Sequence, residues 1–153
     1  MTKRSSAHAA FTIERTYAAK PPRVFQAFAD PEVKKKWFGG PPDWNPGVAT
    51  FDFREGGSET SKGGGPPGGD THDFDCRYYD IVPDERIVYS YEMHISGRRI
   101  SVSLTTVELR PEGAGTRLTL TEQGVFLDGY DDAGAREEGT RWLLGELAKV
   151  VEA

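Results

Sequence analysis

The chain has 153 residues, a net charge of −5 and one cysteine, with 37% hydrophobic and 28% charged residues. That is one domain's length with enough apolar material for a core, and the acidic balance argues against a broad nucleic-acid face or attraction to an anionic membrane. The single cysteine, Cys76, leaves no intrachain disulfide and suits a reducing compartment.

No apolar segment follows the first basic residues to make a secretory signal, and no run reaches the length of a membrane span. The expectation is a cytoplasmic protein with a disordered tail over 1–10 and a single domain over 11–153. "FTIERTY" (11–17) alternates as a first strand. Pro21 and Pro22 suit a helical first turn, and Val24, Phe25 and Phe28 give that helix a stripe to bury. Asp30-Pro31 opens a second short helix through about Trp37, stopped by Gly39-Gly40.

The period then changes to two. Strands are predicted over 48–54, 72–81, 86–93, 98–109 and 116–124, separated by Gly/Pro turns as in an antiparallel meander. A last helix is predicted from about Asp132 to Glu152. At 100° per residue, Thr140, Leu143, Leu144, Leu147, Val150 and Val151 share its inner side, and Trp142 falls roughly 140° away. Trp142 is therefore a flank residue or a self-association contact, and the expected state is a monomer or weak homodimer.

Residues 53–76, "FREGGSETSKGGGPPGGDTHDFDC", carry seven glycines and two prolines. A phosphate loop would need a lysine after the glycines and a helix next. Here Lys62 precedes the main glycine run and a strand follows. As a metal site, His72 and Cys76 would stand about 13 Å apart along one strand face, with Asp73 and Asp75 on the other, so this local set cannot close on an ion. The segment reads as a hairpin tip, either slack or a lid. No cofactor and no metal are expected.

Catalytic motifs such as GxSxG and HExxH are absent. Glu92, Asp52 and His94 are the ionisable residues an enzyme of the cyclase, dehydratase or hydrolase kind would need. Asp52 with Arg54 reads better as a structural ion pair, and Cys76 as a small core filler. Aromatic residues recur on one face of successive strands and on the short helices, where a core built only for packing would use more Leu, Ile and Val. Tyrosines in a hollow give an apolar wall with a hydroxyl handle.

The words "FTIERTYAAKPPRVFQAFADPEVKKKWFGG", "FDFREGG", "YYDIVPDERIVYSYE", "GAGTRLTLTEQG" and "EEGTRWLLGELAKVV" follow one another over residues 11–151. In that order the chain resembles the START-like, Bet v-like helix-grip superfamily, and within it the bacterial homologues of the activator of the 90-kDa heat-shock protein ATPase. The resemblance implies an α+β helix-grip fold: a curved antiparallel sheet wrapped around a long C-terminal helix, with two short helices after the first strand. It also implies a hydrophobic cavity between helix and sheet. Cys76 stands where a small glycine is usual and Tyr91 where a tryptophan is usual. In the last helix Gly139 is followed by Thr140, with Trp142 two places on, where the usual reading is Gly-Trp.

The functional expectation is a noncatalytic protein that binds a small apolar or aromatic ligand. The proposed lining is Trp37, Phe51, Phe53, Phe74, Tyr78, Tyr89, Tyr91, Leu143 and Leu147, with Tyr78 or Tyr91 as polar anchor. Phe126, Leu127 and Tyr130 would cap the mouth or staple the last helix. An enzyme using the same cavity, or a chaperone-associated protein-binding module acting through Trp142, are the alternatives.

Overall fold

The computed structural model describes residues 3–153. Seven strands form one antiparallel sheet: β1 (Ser6–Tyr17), β2 (Val48–Phe51), β3 (Ser58–Gly64), β4 (His72–Val82), β5 (Arg86–Ile95), β6 (Arg98–Glu112) and β7 (Gly115–Leu127). Their order is β1-β7-β6-β5-β4-β3-β2, so β2 to β7 run as a meander and the first strand adds to the last. Three helices complete the fold: α1 (Pro21–Ala29), α2 (Pro31–Lys34) and α3 (Ala133–Val151). This is the expected helix-grip arrangement, with a curved sheet and a long C-terminal helix. No described helix is long and apolar enough to cross a membrane.

Local chemistry explains the helices. Prolines occupy the first turn of α1, whose Val24, Ala27 and Phe28 are buried, because a first-turn residue needs no amide donor. The Asp30 carboxylate accepts from the Glu32 amide at 2.9 Å and caps α2, satisfying one of its orphan donors. The Trp37 indole N–H donates to the Ala27 carbonyl at 2.8 Å and ties the two short helices together. Asp132 caps α3 through the Ala135 amide.

The inner side of α3 buries Leu144, Leu147, Ala148 and Val151, with Thr140, Leu143 and Val150 half-buried on its flanks. Trp142 lies on the far side, 43% exposed. The Tyr17 hydroxyl, on the last residue of β1, donates to the Leu144 carbonyl at 2.9 Å and fixes the helix to the sheet.

Three expectations need correction. Residues 6–10 are not tail but the start of β1, paired from Ser6↔Leu127 to Ala10↔Gln123. Small residues suffice there because the ladder to β7 supplies the partners for their backbone groups. The strand expected over 48–54 ends at Phe51, and the strand β3 was not foreseen at all. Its sequence, SETSKGG, has no apolar residue to alternate, and it is held by pairing with β2 on one side and β4 on the other.

The glycine-rich tip is also tethered. Asn45 and Gly65 exchange backbone hydrogen bonds at 2.8 and 3.1 Å, the Asp73 carboxylate accepts from the Gly63 amide, and Ser96 donates to Asp70. At Gly65, φ is +145° and a Cβ would stand 2.2 Å from the Asp70 carbonyl oxygen, so only glycine fits that crossing.

Candidate functional site

The side of the sheet that faces α3 is aromatic. Rings run in contact from the helices across the strands: Phe25–Phe53 at 5.8 Å, Phe53–Tyr78 at 4.9 Å, Tyr78–Tyr89 at 6.0 Å, Tyr89–Tyr91 at 6.1 Å and Tyr91–Phe74 at 5.3 Å. Phe74 continues to Phe38 at 5.1 Å and Phe38 to Trp37 at 5.7 Å, mostly edge-on as the ring quadrupoles favour. Period-two alternation produces this face: Phe74, Cys76 and Tyr78 on β4 lie beside Tyr91, Tyr89 and Met93 on β5.

The expected lining residues therefore come together, but not all are equally open. Trp37, Tyr78, Tyr91 and Leu147 are buried, whereas Phe51, Phe53, Phe74, Tyr89 and Leu143 keep part of their surface accessible, as do Phe38 and Met93.

Sequence reasoning missed the charges in this layer. Lys34, the first residue of the lysine triplet 34–36, turns inward and is 8% exposed. Its ammonium donates to Glu59 Oε1 at 2.5 Å and to the Tyr78 hydroxyl at 3.3 Å, and it lies 4.4 Å above the Phe38 ring. The Tyr78 hydroxyl donates to the same Glu59 oxygen at 2.5 Å. Burial, then the neighbouring Glu59 carboxylate, push that phenol far above the ordinary tyrosine range.

A second station lies where α3 begins. Arg136 donates to the Tyr91 hydroxyl at 2.9 Å, to Ser101 at 2.7 Å and to Asp131 at 3.1 Å. Glu122 stands 3.5 Å from the same guanidinium and accepts from the Tyr91 hydroxyl at 2.8 Å. Two sequence signals pointed here. Glu122 continues the Leu118, Leu120 alternation, and Arg136 precedes Thr140 by four residues on the inner stripe of α3. For Glu59 and Lys34 there was no such signal.

Tyr89 lies between the two stations. The hydroxyls of Tyr78 and Tyr91, expected as polar anchors, are both committed to carboxylates. The Tyr89 hydroxyl makes no hydrogen bond to any described residue, and burial pushes its pKa well above the ordinary value. With the buried Ser103 Oγ, cross-strand from Tyr91, it is an uncommitted polar atom of this side of the sheet.

The residues nominated for catalysis point elsewhere. Asp52 pairs with Arg54 at 2.9 Å, both more than half exposed. Glu92 and His94 alternate with the inward Tyr91 and Met93, and Glu92 binds Arg99 at 2.6 Å and His94 at 3.2 Å. Cys76 is 2% exposed, and burial pushes its thiol up to about 12, which suits a core filler. Phe126 is buried under Arg136, while Tyr130 stays at the surface beneath Arg98.

Around the glycine-rich tip, His72 stacks on Trp44 with ring centres 4.6 Å apart, and Asp70 and Asp73 hold the loop. Two open surface concavities, about 560 and 550 Å³, lie away from the aromatic face. One is over Ala10, Ser90, Val102 and Leu104; the other is beside Pro21, Asp84 and Gly113.

Comparison with known proteins places the chain. Residues 18–152 match the family described as Activator of Hsp90 ATPase homolog 1-like protein. The chain belongs to that family. Among solved structures, it is similar to Mll3558 from Rhizobium loti, with 52% identity over 95% of this chain and 98% of that one and a TM-score of 0.87. It is also similar to an uncharacterised protein from Rhizobium leguminosarum, with 45% identity, 99% of each chain covered and a TM-score of 0.92. Protein CV1439 from Chromobacterium violaceum is 29% identical over 94% of this chain and 97% of that one, with a TM-score of 0.81. No curated protein matches the chain. The family match begins at residue 18, after the last residue of β1.

Proposed function

We propose that this member of the Hsp90-activator-like family is a carrier, sensor or sequestering protein that takes a small aromatic molecule between α3 and the aromatic strands. The observation that carries the reading is the uneven burial of one continuous aromatic face. Phe38, Phe51, Phe53, Phe74, Tyr89, Met93 and Leu143 retain accessible surface in the layer where Trp37, Tyr78 and Leu147 have none to spare. A layer meant only as core would close over its rings, since each buried aromatic contributes about 1.5–3 kcal/mol. Half-open apolar walls with a few polar atoms are the usual make-up of a ligand site.

The nominated enzyme reagents give catalysis no support, because Asp52 and Glu92 are spent on surface ion pairs. Native mass spectrometry of gently purified protein, followed by a thermal-shift screen of aromatic metabolites, tests the proposal. A retained small mass, or a shift abolished by Leu143→Trp, is the expected result. A protein that retains nothing and responds to no compound has a filled interior, and the reading fails.

A further inference from the structure

The sheet has two edges, and they are not alike. β2 offers four residues and β1 offers twelve. β1 pairs with β7 from Ser6 to Tyr17 without a register shift, and it contains no proline and no lysine. Bulges, prolines and lysines are the devices that keep a long edge from pairing with another chain, and β1 has none of them.

One contact at the start of β1 fixes which backbone groups face outward. The Ser5 carbonyl accepts from the Asp128 amide at 2.9 Å, one step beyond the Ser6↔Leu127 pair. Odd-numbered residues therefore turn their N–H and C=O to β7, and even-numbered ones turn theirs to the open edge. Ser6, His8, Ala10, Thr12, Glu14 and Thr16 are all exposed. No loop or side chain of the described residues bonds their backbone on that side.

The side chains make this edge complementary to a second copy of itself. Antiparallel pairing about Phe11 puts all the outward residues in hydrogen-bonded pairs: Ser6 meets the partner's Thr16, His8 the partner's Glu14 and Ala10 the partner's Thr12. Glu14 uses only its Oε2, on Arg117 at 2.8 Å, so its Oε1 is open to an imidazole N–H donor. On the α3 side small residues meet large ones. Ala7 faces the partner's Arg15 and Ala9 the partner's Ile13, while Phe11, half-buried, faces its own copy as a cross-strand aromatic pair. Shifting the register by two residues either way sets His8 against Thr12 or Thr16, and Glu14 against Ser6 or Ala10.

We propose that the protein forms a twofold homodimer in which β1 pairs with β1 of a second copy about Phe11, joining the two seven-stranded sheets into one. This does not depend on the binding site proposed above.

Sedimentation equilibrium at about 100 μM should give twice the chain mass of 16.9 kDa. Ala10→Pro removes an N–H that points to the open edge, so it leaves the ladder to β7 whole and should raise the dimer Kd more than about tenfold. Cysteine pairs read the register independently of that variant. Facing Phe11 positions lie about 4.5 Å apart between Cα atoms, within the range of a disulfide, whereas the two Ala9 positions lie about 14 Å apart. Diamide should therefore cross-link Phe11→Cys and leave Ala9→Cys monomeric on a denaturing gel, with cooperative melting checked in both. A wild-type protein that sediments as a monomer would overturn the proposal. So would a dimer left intact by Ala10→Pro, and its loss on Trp142→Ala instead would move the contact to α3. Cross-linking of Ala9→Cys in place of Phe11→Cys would overturn the register.

Discussion

Replacing Lys34 with methionine isolates the energetics of the inner ion pair. The side chains of Lys34 and Glu59 are 10% and 9% exposed, so the pair is not screened by solvent as a surface bridge would be. Methionine keeps the apolar stem against Phe38 and Phe51 but removes the ammonium, leaving Glu59 with the Tyr78 hydroxyl as its partner. Leaving one member of a buried pair alone costs about 3–5 kcal/mol. Adding Glu59→Gln to Lys34→Met removes the orphaned charge and still offers Tyr78 a carbonyl oxygen, so the double variant should recover about 2 kcal/mol of the loss. Urea unfolding followed by tryptophan fluorescence measures all three proteins. Lys35→Met, at the exposed pair with Glu32, is the control and should change stability by less than about 1 kcal/mol. If Lys34→Met costs no more than that control, or if the double variant is no more stable than the single, the buried-pair reasoning is wrong.

Tyr17→Phe deletes the hydroxyl that donates to the Leu144 carbonyl and should cost about 1 kcal/mol; a stability equal to wild type would mean that α3 is held by packing alone. Gly139 lies within α3, and a Cβ there meets nothing within 4 Å. Gly139→Ala should therefore stabilise the protein by about 1 kcal/mol, a rise of about 2–4 °C in Tm, and a fall would reveal a contact on that face. Asp128 accepts from the Ser5 amide and from Arg4, which hold its carboxyl below the usual range. A depressed carboxylate stabilises above its unfolded pKa and loses that contribution as pH falls through the folded one. The protection factor of the Ser5 amide, its exchange rate compared with that of an unstructured amide at the same pH, should accordingly fall at acid pH before protection in β5 does, and simultaneous loss would contradict this. Cys76, buried and raised, should resist thiol reagents in the native protein and react only at the rate of unfolding; fast native labelling would show that the interior opens.

The architecture was legible because most elements state their period. Ile87, Tyr89, Tyr91 and Met93 alternate in β5, and Leu143, Leu144, Leu147 and Val151 repeat in α3, so each element names its buried side without outside help. β3 does not: its pairing partners, not its side chains, make it a strand. The opening of β1 escaped for the same reason, since Ala7 and Ala9 are too small to show a pattern and depend on β7. At the site, the rings were readable and the charges were not. Lys34 sits among Lys35 and Lys36, which are solvated, and only the approach of Glu59 from β3 turns it inward. A residue whose environment is supplied by a strand that itself went unrecognised leaves no local trace.

The pairing of β1 with β7 sets an order of events on the ribosome. β2 to β7 are hairpin neighbours, so each pair can form soon after its second strand emerges, with short loops to close. β1 is made first, yet Ser6 pairs with Leu127 and Tyr17 with Thr116, so the first strand stays unmatched until nearly the whole sheet has been synthesised. During that interval β1 and the last-made strand of the growing meander present open edges, natural targets for chaperones and for mispairing. Deleting residues 6–10 would shorten this last-formed ladder and leave the Gln123–Leu127 stretch of β7 as an unpaired edge.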